Sequence, residues 1–376
     1  MAVRPTAATA RSPWPERMKP LLQVVALVTL LYAFLVSIGL LGKAFKLFSG
    51  GFVGDLILSA NNPVVGLFEG ILVTTLVQSS STTTSLVVAL VASGTMPVSV
   101  AIPVIMGANI GTSVTNTLVS LGHLARGQEF RRAFAASTIH DFFNIAAVLI
   151  LFPLQVSTNL LGRLSTALAD AFGHIGGLTF ASPLKLVTGP VVSAIGHRFE
   201  HHPWLLLLLA LVIMFASLRY LVKVLKSLVL KRVEQFFDRT LFRNAALAMT
   251  FGLIVTTLVQ SSSITTSLAV PLAGAGLLTL RQVFPYTLGA NVGTTVTAIL
   301  AALSVGEISA ITVAFAHLLF NVLGIACIWP IPAIRNIPLK ASEQFAAVAA
   351  ANRWIPIVYI VVFFYALPFT VIWILR

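Results

Sequence analysis

Hydrophobic residues run along this chain in long blocks rather than in alternation. Leu21–Leu41, Trp204–Leu218, Ile308–Ile331 and Trp354–Leu375 are near-continuous apolar stretches. Each is close to the roughly 20 residues that carry a helix across a bilayer, or approaches that length with its flanks. Alternating segments of about ten residues, the mark of a membrane β-barrel, do not occur. The pattern predicts an all-α polytopic membrane protein. What interrupts it is a run of hydroxyls written twice: "TTLVQSSSTTTSL" from Thr74 and "TTLVQSSSITTSL" from Thr256.

The duplication extends well past that phrase. "GILVTTLVQSSSTTTSL" at Gly70 aligns with "GLIVTTLVQSSSITTSL" at Gly252, and at the same interval "GANIGTSVTN" at Gly107 meets "GANVGTTVTA" at Gly289. "HDFFN" at His140 then matches "HLLFN" at His317 after a slightly shorter loop, and Pro153 and Pro330 are expected to end the corresponding helices. Three motifs in register establish an internal repeat.

Charge orients the two copies. With 57% hydrophobic and 9% charged residues the chain reads as membrane-embedded. Its formal charge of +13 sits in Lys and Arg between the apolar blocks, which points to topology and not to nucleic acid. After the first Gly-Ala-Asn segment comes "GHLARGQEFRR", with Arg126, Arg131 and Arg132; the equivalent loop in the second copy is "SVGEIS", with Glu307 and no base. Cytoplasmic loops concentrate Lys and Arg, so equivalent loops should face opposite sides. The run Arg219–Arg243, the segment Arg335–Arg353 and the N-terminus, with Arg4, Arg11, Arg17 and Lys19, are all expected inside. This is an inverted-topology repeat, a plan common among secondary transporters.

Each unit is expected to hold one span, one re-entrant hairpin and two further spans. The boundaries that follow are a cytoplasmic segment at 1–20, a first repeat at 21–153, an outer connection at 154–203 with amphipathic helices, a second repeat at 204–331, and a cytoplasmic loop with a C-terminal helix at 332–376. The basic N-terminus resembles the start of a signal peptide, but the apolar run after it is too long, so a retained first span is expected. Cys327 is the only cysteine, which excludes an intrachain disulfide.

The candidate chemistry lies at the hairpin tips. Ser79, Ser80 and Ser81, and Ser261, Ser262 and Ser263, open the second helix of each hairpin. Free N–H groups and the positive dipole end at such a point make an anion site, and serine hydroxyls add donors. Gln78 and Gln260 precede the turns and can offer amide contacts. In the Gly-Ala-Asn segments, paired glycines would let the helix unwind and turn carbonyls inward. Asn109, Thr112, Asn291, Thr294 and Thr297 are then candidate ligands for a hard monovalent cation such as sodium. No Asp or Glu lies between Glu69 and Glu129, so Asp141 in a predicted span stands out. An intramembrane carboxylate usually marks an ion path, and its repeat mate is Leu318. Asp141 and Asn144, three apart, share a helix face.

Plainer readings stand beside these. Ser and Thr can be packing glue between helices, the Gly-Ala-Asn segments can be close-packing sites, and Asp141 can pair with an arginine. His140 and His317 more naturally hydrogen-bond within the bundle than bind metal. An intramembrane serine hydrolase using Ser80 with His140 and Asp141 is a different class of function, but no G-x-S-x-G elbow is present and one nucleophile needs no duplicate. An anion channel would not need two deep hairpins backed by cation-type segments.

The paired "QSSS" hairpins, "MGANIGTSVTN", "FRRAF" and "HDFFN" resemble the type II sodium-dependent phosphate cotransporter family, including its bacterial members. The resemblance covers about Leu67–Pro153 and Leu247–Pro330. It implies sodium-driven import of inorganic phosphate, chiefly divalent, across the cell (inner) membrane, with sodium as coupling ion and no other cofactor. It carries phosphate binding to Gln78, Ser79, Ser80, Gln260, Ser261 and Ser262, and sodium binding to Asn144, Asn291, Thr294 and Thr297. Electrogenic members of that family have an aspartate matching Asp141. The chain departs from the vertebrate pattern at Ala290, His123 and Arg126 and lacks the cysteines of the outer connection.

Overall fold

A computed structural model describes residues 19–47, 62–125, 127–174, 183–236, 242 and 244–375. The expected basic residues Arg4, Arg11, Arg17, Arg126, Arg239 and Arg243 lie outside these. The described residues form helices and short turns, and seven helical stretches among them are long and apolar enough to cross a membrane. The protein is an all-α polytopic membrane protein.

The first repeat opens with α1 (Lys19–Leu47), which is followed by two short helices, α2 (Pro63–Val77) and α3 (Ser80–Ala92). At 15 and 13 residues they rise only about 20 Å each, short of the roughly 30 Å hydrocarbon core. Their start and break are built by side chains. Asn62 caps α2 by accepting from the Val64 N–H at 2.9 Å. Gln78 ends the helix in the left-handed region, at φ 55° and ψ 29°, with its N–H returned to the Thr74 carbonyl. Ser79 is extended, at φ −153°, and caps α3 by accepting from the Thr82 N–H at 3.2 Å.

The second repeat reproduces this residue by residue. Asn244 caps α10 (Ala245–Val259) through the Ala246 N–H at 2.9 Å, Gln260 is left-handed at φ 56°, and Ser261, at φ −153°, caps α11 (Ser262–Gly274). A left-handed glutamine is unusual, since a non-glycine residue meets its own Cβ there. Finding it at both breaks ties the backbone turn to the repeated sequence.

After the first hairpin come α4 (Val98–Gly111), α5 (Val114–Ser120) and α6 (Gly127–Thr158). The corresponding helices of the second repeat are α12 (Leu280–Val305) and α13 (Ile308–Ile328). Here the structure departs from the expected unwinding at the Gly-Ala-Asn segments. The helix passes unbroken through Gly289–Gly293 inside α12, and in the first copy the residues between α4 and α5 keep right-handed helical angles. The glycines serve close packing instead. A Cβ on Gly70 would drive into the Val104 carbonyl and one on Gly107 into that of Leu67; Gly252 stands so against Tyr286, and Gly289 against Met249. Each hairpin's first helix therefore lies backbone to backbone on the long helix of its own repeat.

A further departure concerns a helix end. Pro153 does not end α6, which continues to Thr158; Asn159, at φ 52°, ends it, with its Oδ1 held by the Gln155 amide at 2.8 Å. Gln155 Oε1 accepts in turn from the Leu161 N–H at 2.9 Å, which starts α7 (Leu160–His174) directly. Leu161, Ser165 and Ala169 are buried on one face of α7, toward α13, while Arg163, Leu164 and Asp170 are exposed. α8 (Pro183–Arg198) packs on α1, and α9 (Pro203–Phe236) runs beside α1 as the second repeat's opening helix.

The chain closes with α14 (Pro332–Ala351), α15 (Trp354–Val361), a π-helical turn at Val362–Ala366 and α16 (Leu367–Leu375). α14 lies along α6, where Phe130 and Phe134 of the "FRRAF" motif are buried with Ala346 and Ala349. Leu149, Trp204, Phe369 and Trp373 are more than half exposed, as apolar side chains facing lipid would be.

Candidate functional site

The hairpins cross into each other's repeat. α3 packs on α12 and α13, and α11 packs on α5 and α6. The tips meet: the Ser81 hydroxyl lies 3.4 Å from the carbonyl oxygen of Gln260. Of the tip residues, Ser79 and Ser261 spend their hydroxyls as caps of their own helices. That leaves the N–H groups of Ser80 and Ser81, and of Ser262 and Ser263, without partners from within the helix, as any first turn does. Ser80 and Ser262 contribute hydroxyls at the same level. Six donors of this kind, four N–H groups and two hydroxyls, with two helix dipoles behind them, make a candidate anion cradle without a formal charge.

Gln78 is exposed at the first tip. Its mate Gln260 is half-buried and fixed: Thr297 Oγ1 donates to Gln260 Oε1 at 2.7 Å, and the Gln260 amide donates to the Thr257 carbonyl. Thr297, one of the expected cation ligands, is thus joined to the anion side of the site.

Behind the tips lies a buried amide network. Asn291 Oδ1 accepts from His140 Nε2, and Asn291 Nδ2 donates to Asn144 Oδ1 at 2.9 Å. Asn144 Nδ2 donates to the Asn109 carbonyl at 2.8 Å. Asn321 donates to Asn109 Oδ1 at 3.3 Å and to the His317 carbonyl at 3.0 Å. Asn109, Asn144 and Asn291 are linked in this network, Asn109 through its backbone carbonyl. Thr112 and Thr294 are not turned to it; each hydroxyl bonds back to its own helix, at the Ala108 and Ala290 carbonyls. Among the described residues no three His, Cys, Asp or Glu side chains cluster. Any cation here would meet neutral oxygens, a donor set for a hard monovalent ion.

Asp141 and Asn144 share α6 but reach different neighbours. Asp141 is fully buried, and its Oδ2 accepts from the Tyr359 hydroxyl at 2.9 Å, so its partner is a phenol of α15 and not an arginine. The hydroxyls of Ser113 and Thr117 lie beside the same carboxylate. The three residues of the hydrolase alternative do not form a relay, since His140 is taken by Asn291 and Asp141 by Tyr359.

Three residues of the site escaped the sequence reading. Asn321 is the repeat mate of Asn144, and the "HLLFN" match carried that signal. Asn116 binds across the repeats, donating to Thr266 Oγ1 at 2.8 Å and accepting from Ser267 at 3.0 Å; its mate is Ala298, so the duplication hid it. Tyr359 is a lone polar tip in an aliphatic helix outside the repeat. Arg132 adds a further cross-repeat tie, from its Nε to the Gly274 carbonyl at the end of α11, at 2.9 Å.

Residues 33–181 and 211–326 match the family described as Na+/Pi-cotransporter, and the chain belongs to that family. Its members are transporters and not enzymes. Sodium-dependent phosphate transport protein 2B of Pongo abelii is 33% identical over 446 residues, covering 93% of this chain and 65% of the relative. Sodium-dependent phosphate transport protein 2A of Rattus norvegicus is 35% identical over 426 residues, covering 93% of this chain and 67% of that protein. The chain thus spans about 65% of the length of the 2B relative. No solved structure gives a significant match.

Proposed function

We propose that the chain is a sodium-coupled secondary transporter that imports inorganic phosphate, chiefly the divalent form, across the cell (inner) membrane. Phosphate sits between the two hairpin tips, on Gln78, Ser79, Ser80 and Ser81 and on Gln260, Ser261, Ser262 and Ser263. The observation that carries this reading is the meeting of two repeated helix starts, Ser81 against Gln260. Two dipole ends facing one point suit a small tetrahedral anion, and family membership supports phosphate as that anion.

Sodium ions neutralise the anion for crossing. Asn109, Asn144 and Asn291 offer the nearest amide oxygens, with Thr112, Thr294 and Thr297 beside them, and Asp141 provides a separate, charged position. The re-entrant, inverted arrangement, with the N-terminus in the cytoplasm, is part of the same reading, supported by the short helices of each hairpin and by the contrast between the Arg-bearing and Glu307-bearing loops. A sodium-coupled carrier of another small oxyanion would use the same cradle.

The test is uptake of labelled phosphate by purified protein in liposomes, with an inward sodium gradient. Uptake should collapse when choline replaces sodium at equal pH, and sulfate should compete poorly. Sodium-independent uptake would refute coupling, and equal transport of sulfate would replace phosphate with a broader substrate class.

A further inference from the structure

The two repeats share a sequence and their helix caps, but not all of their buried side-chain hydrogen bonds. Asn291 bridges His140 and Asn144. Its mate Asn109 accepts from Asn321, the mate of Asn144, at 3.3 Å, but takes no bond from His317 and gives none to Asn321, so it makes no such bridge. It turns its amide back to the Ile105 carbonyl at 2.9 Å. His317 Nε2 and Asn321 Oδ1 are consequently buried with no partner, while Nδ1 is unpartnered in both histidines. The same holds at the tips. Thr297 donates to Gln260, whereas its mate Thr115 has a buried, unpartnered hydroxyl and Gln78 is exposed. Within the hairpins Thr74 donates to Thr83 at 3.0 Å, while the mate of Thr74, Thr256, is unpartnered.

A buried imidazole without a hydrogen bond is costly, and native structures rarely leave one. Here the unpartnered atoms Thr115 Oγ1, Thr256 Oγ1, Thr257 Oγ1, His317 Nε2 and Asn321 Oδ1 each have a repeat mate that is partnered at that atom, whereas Nδ1 is unpartnered in His140 and His317 alike and Asp141 has the apolar mate Leu318. Chance placement of orphans has no reason to follow the repeat. An arrangement with two forms, of which one is seen, does.

We infer that the protein has a second conformation in which the two halves exchange these bonds. In it Asn109 accepts from His317 and donates to Asn321, Thr115 donates to Gln78, and Asn291 and Gln260 release their partners. This rests on the inverted-repeat transporter reading, under which exchanging the conformations of the halves exchanges the side from which the site is open. The two histidines are positioning residues, one for each state.

The exchange is read by labelling rates. In a Cys327→Ser background, a single cysteine is placed at Thr82 or at its mate Ile264; Thr82 is buried here and Ile264 half-buried. Maleimide reactivity is compared in choline buffer without phosphate. His140→Leu removes a bond this state uses and should raise the Thr82-to-Ile264 labelling ratio by roughly fivefold, the shift one ordinary hydrogen bond produces. Adding His317→Leu should bring the ratio back toward its starting value, because the other state then loses its own bond. The near-isosteric pair Thr297→Val and Thr297→Val with Thr115→Val should do the same, and serves if the leucine variants misfold. A double variant that stays at the single variant's ratio, or a single variant that does not move it, overturns the exchange; a merely hydrated His317 gives the former. Uptake by the parent protein in the same preparation reports separately on the transport reading.

Discussion

The Ser81 hydroxyl and the Gln260 carbonyl oxygen stand 3.4 Å apart, although 179 residues of chain separate them. One hairpin tip thus touches the left-handed residue that turns the other. The contact needs both breaks to reach the same depth, which two copies of one sequence folding alike provide. It also brings two first helical turns close together, at the place proposed for phosphate.

Backbone contact between the hairpins and their long helices should be sensitive to a single methyl. Gly70→Ala and Gly252→Ala each push a Cβ into a carbonyl, of Val104 and Tyr286 respectively. Overpacking of this kind costs about 1–3 kcal/mol. Thermal unfolding in detergent should show both variants less stable than the parent, while Gly122→Ala, which meets nothing within 4 Å, should match it. If all three melt together, the close approach does not hold the hairpins.

Asp141 should set the electrical character of transport. If its carboxylate balances an additional sodium ion, each phosphate carries net positive charge inward, driven at about 2.3 kcal/mol per charge per 100 mV. Asp141→Gly should still transport, without net current and with weaker dependence on sodium concentration. Tyr359→Phe removes only the phenol that donates to Asp141 at 2.9 Å, so it should keep the charge per phosphate and change the sodium dependence. Current and uptake measured together decide this; unchanged charge in Asp141→Gly makes the aspartate a structural partner of Tyr359.

Opposed loops give a direct test of topology. In a Cys327→Ser background, a cysteine at Gln128 should react with an impermeant maleimide only from the cytoplasmic side, and one at Gly306 only from outside. Reaction of both from one side would remove the inverted arrangement, and with it the exchange between halves.

Much of this was legible in the sequence because duplication doubles every signal. The breaks at Gln78 and Gln260, the serines that follow them and the helix order could be read from two copies agreeing. What misled was local chemistry read without neighbours. Paired glycines around Asn109 and Asn291 fit an unwound helix as well as a close-packed one, and only the facing carbonyls of Leu67 and Met249 decide between them. Pro153 reads as a stop, yet the Gln155–Asn159 pair places the real end beyond it. Asn116 and Tyr359 were invisible for the opposite reason: each acts in one copy only, where no repeat points to it. Long-range partners across 150 or 218 residues leave no periodic trace.

The most direct test of the account is equilibrium binding of phosphate, in saturating sodium, to the purified parent and to Ser80→Ala, Ser262→Ala and both together. A hydrogen bond to a charged ligand contributes about 1.5–3 kcal/mol, so each single variant should bind roughly 10- to 100-fold more weakly. The parent should bind one phosphate per chain, since both tips hold the same ion. Wild-type affinity in either single variant, or two independent phosphates per chain, would contradict a site shared between the two tips.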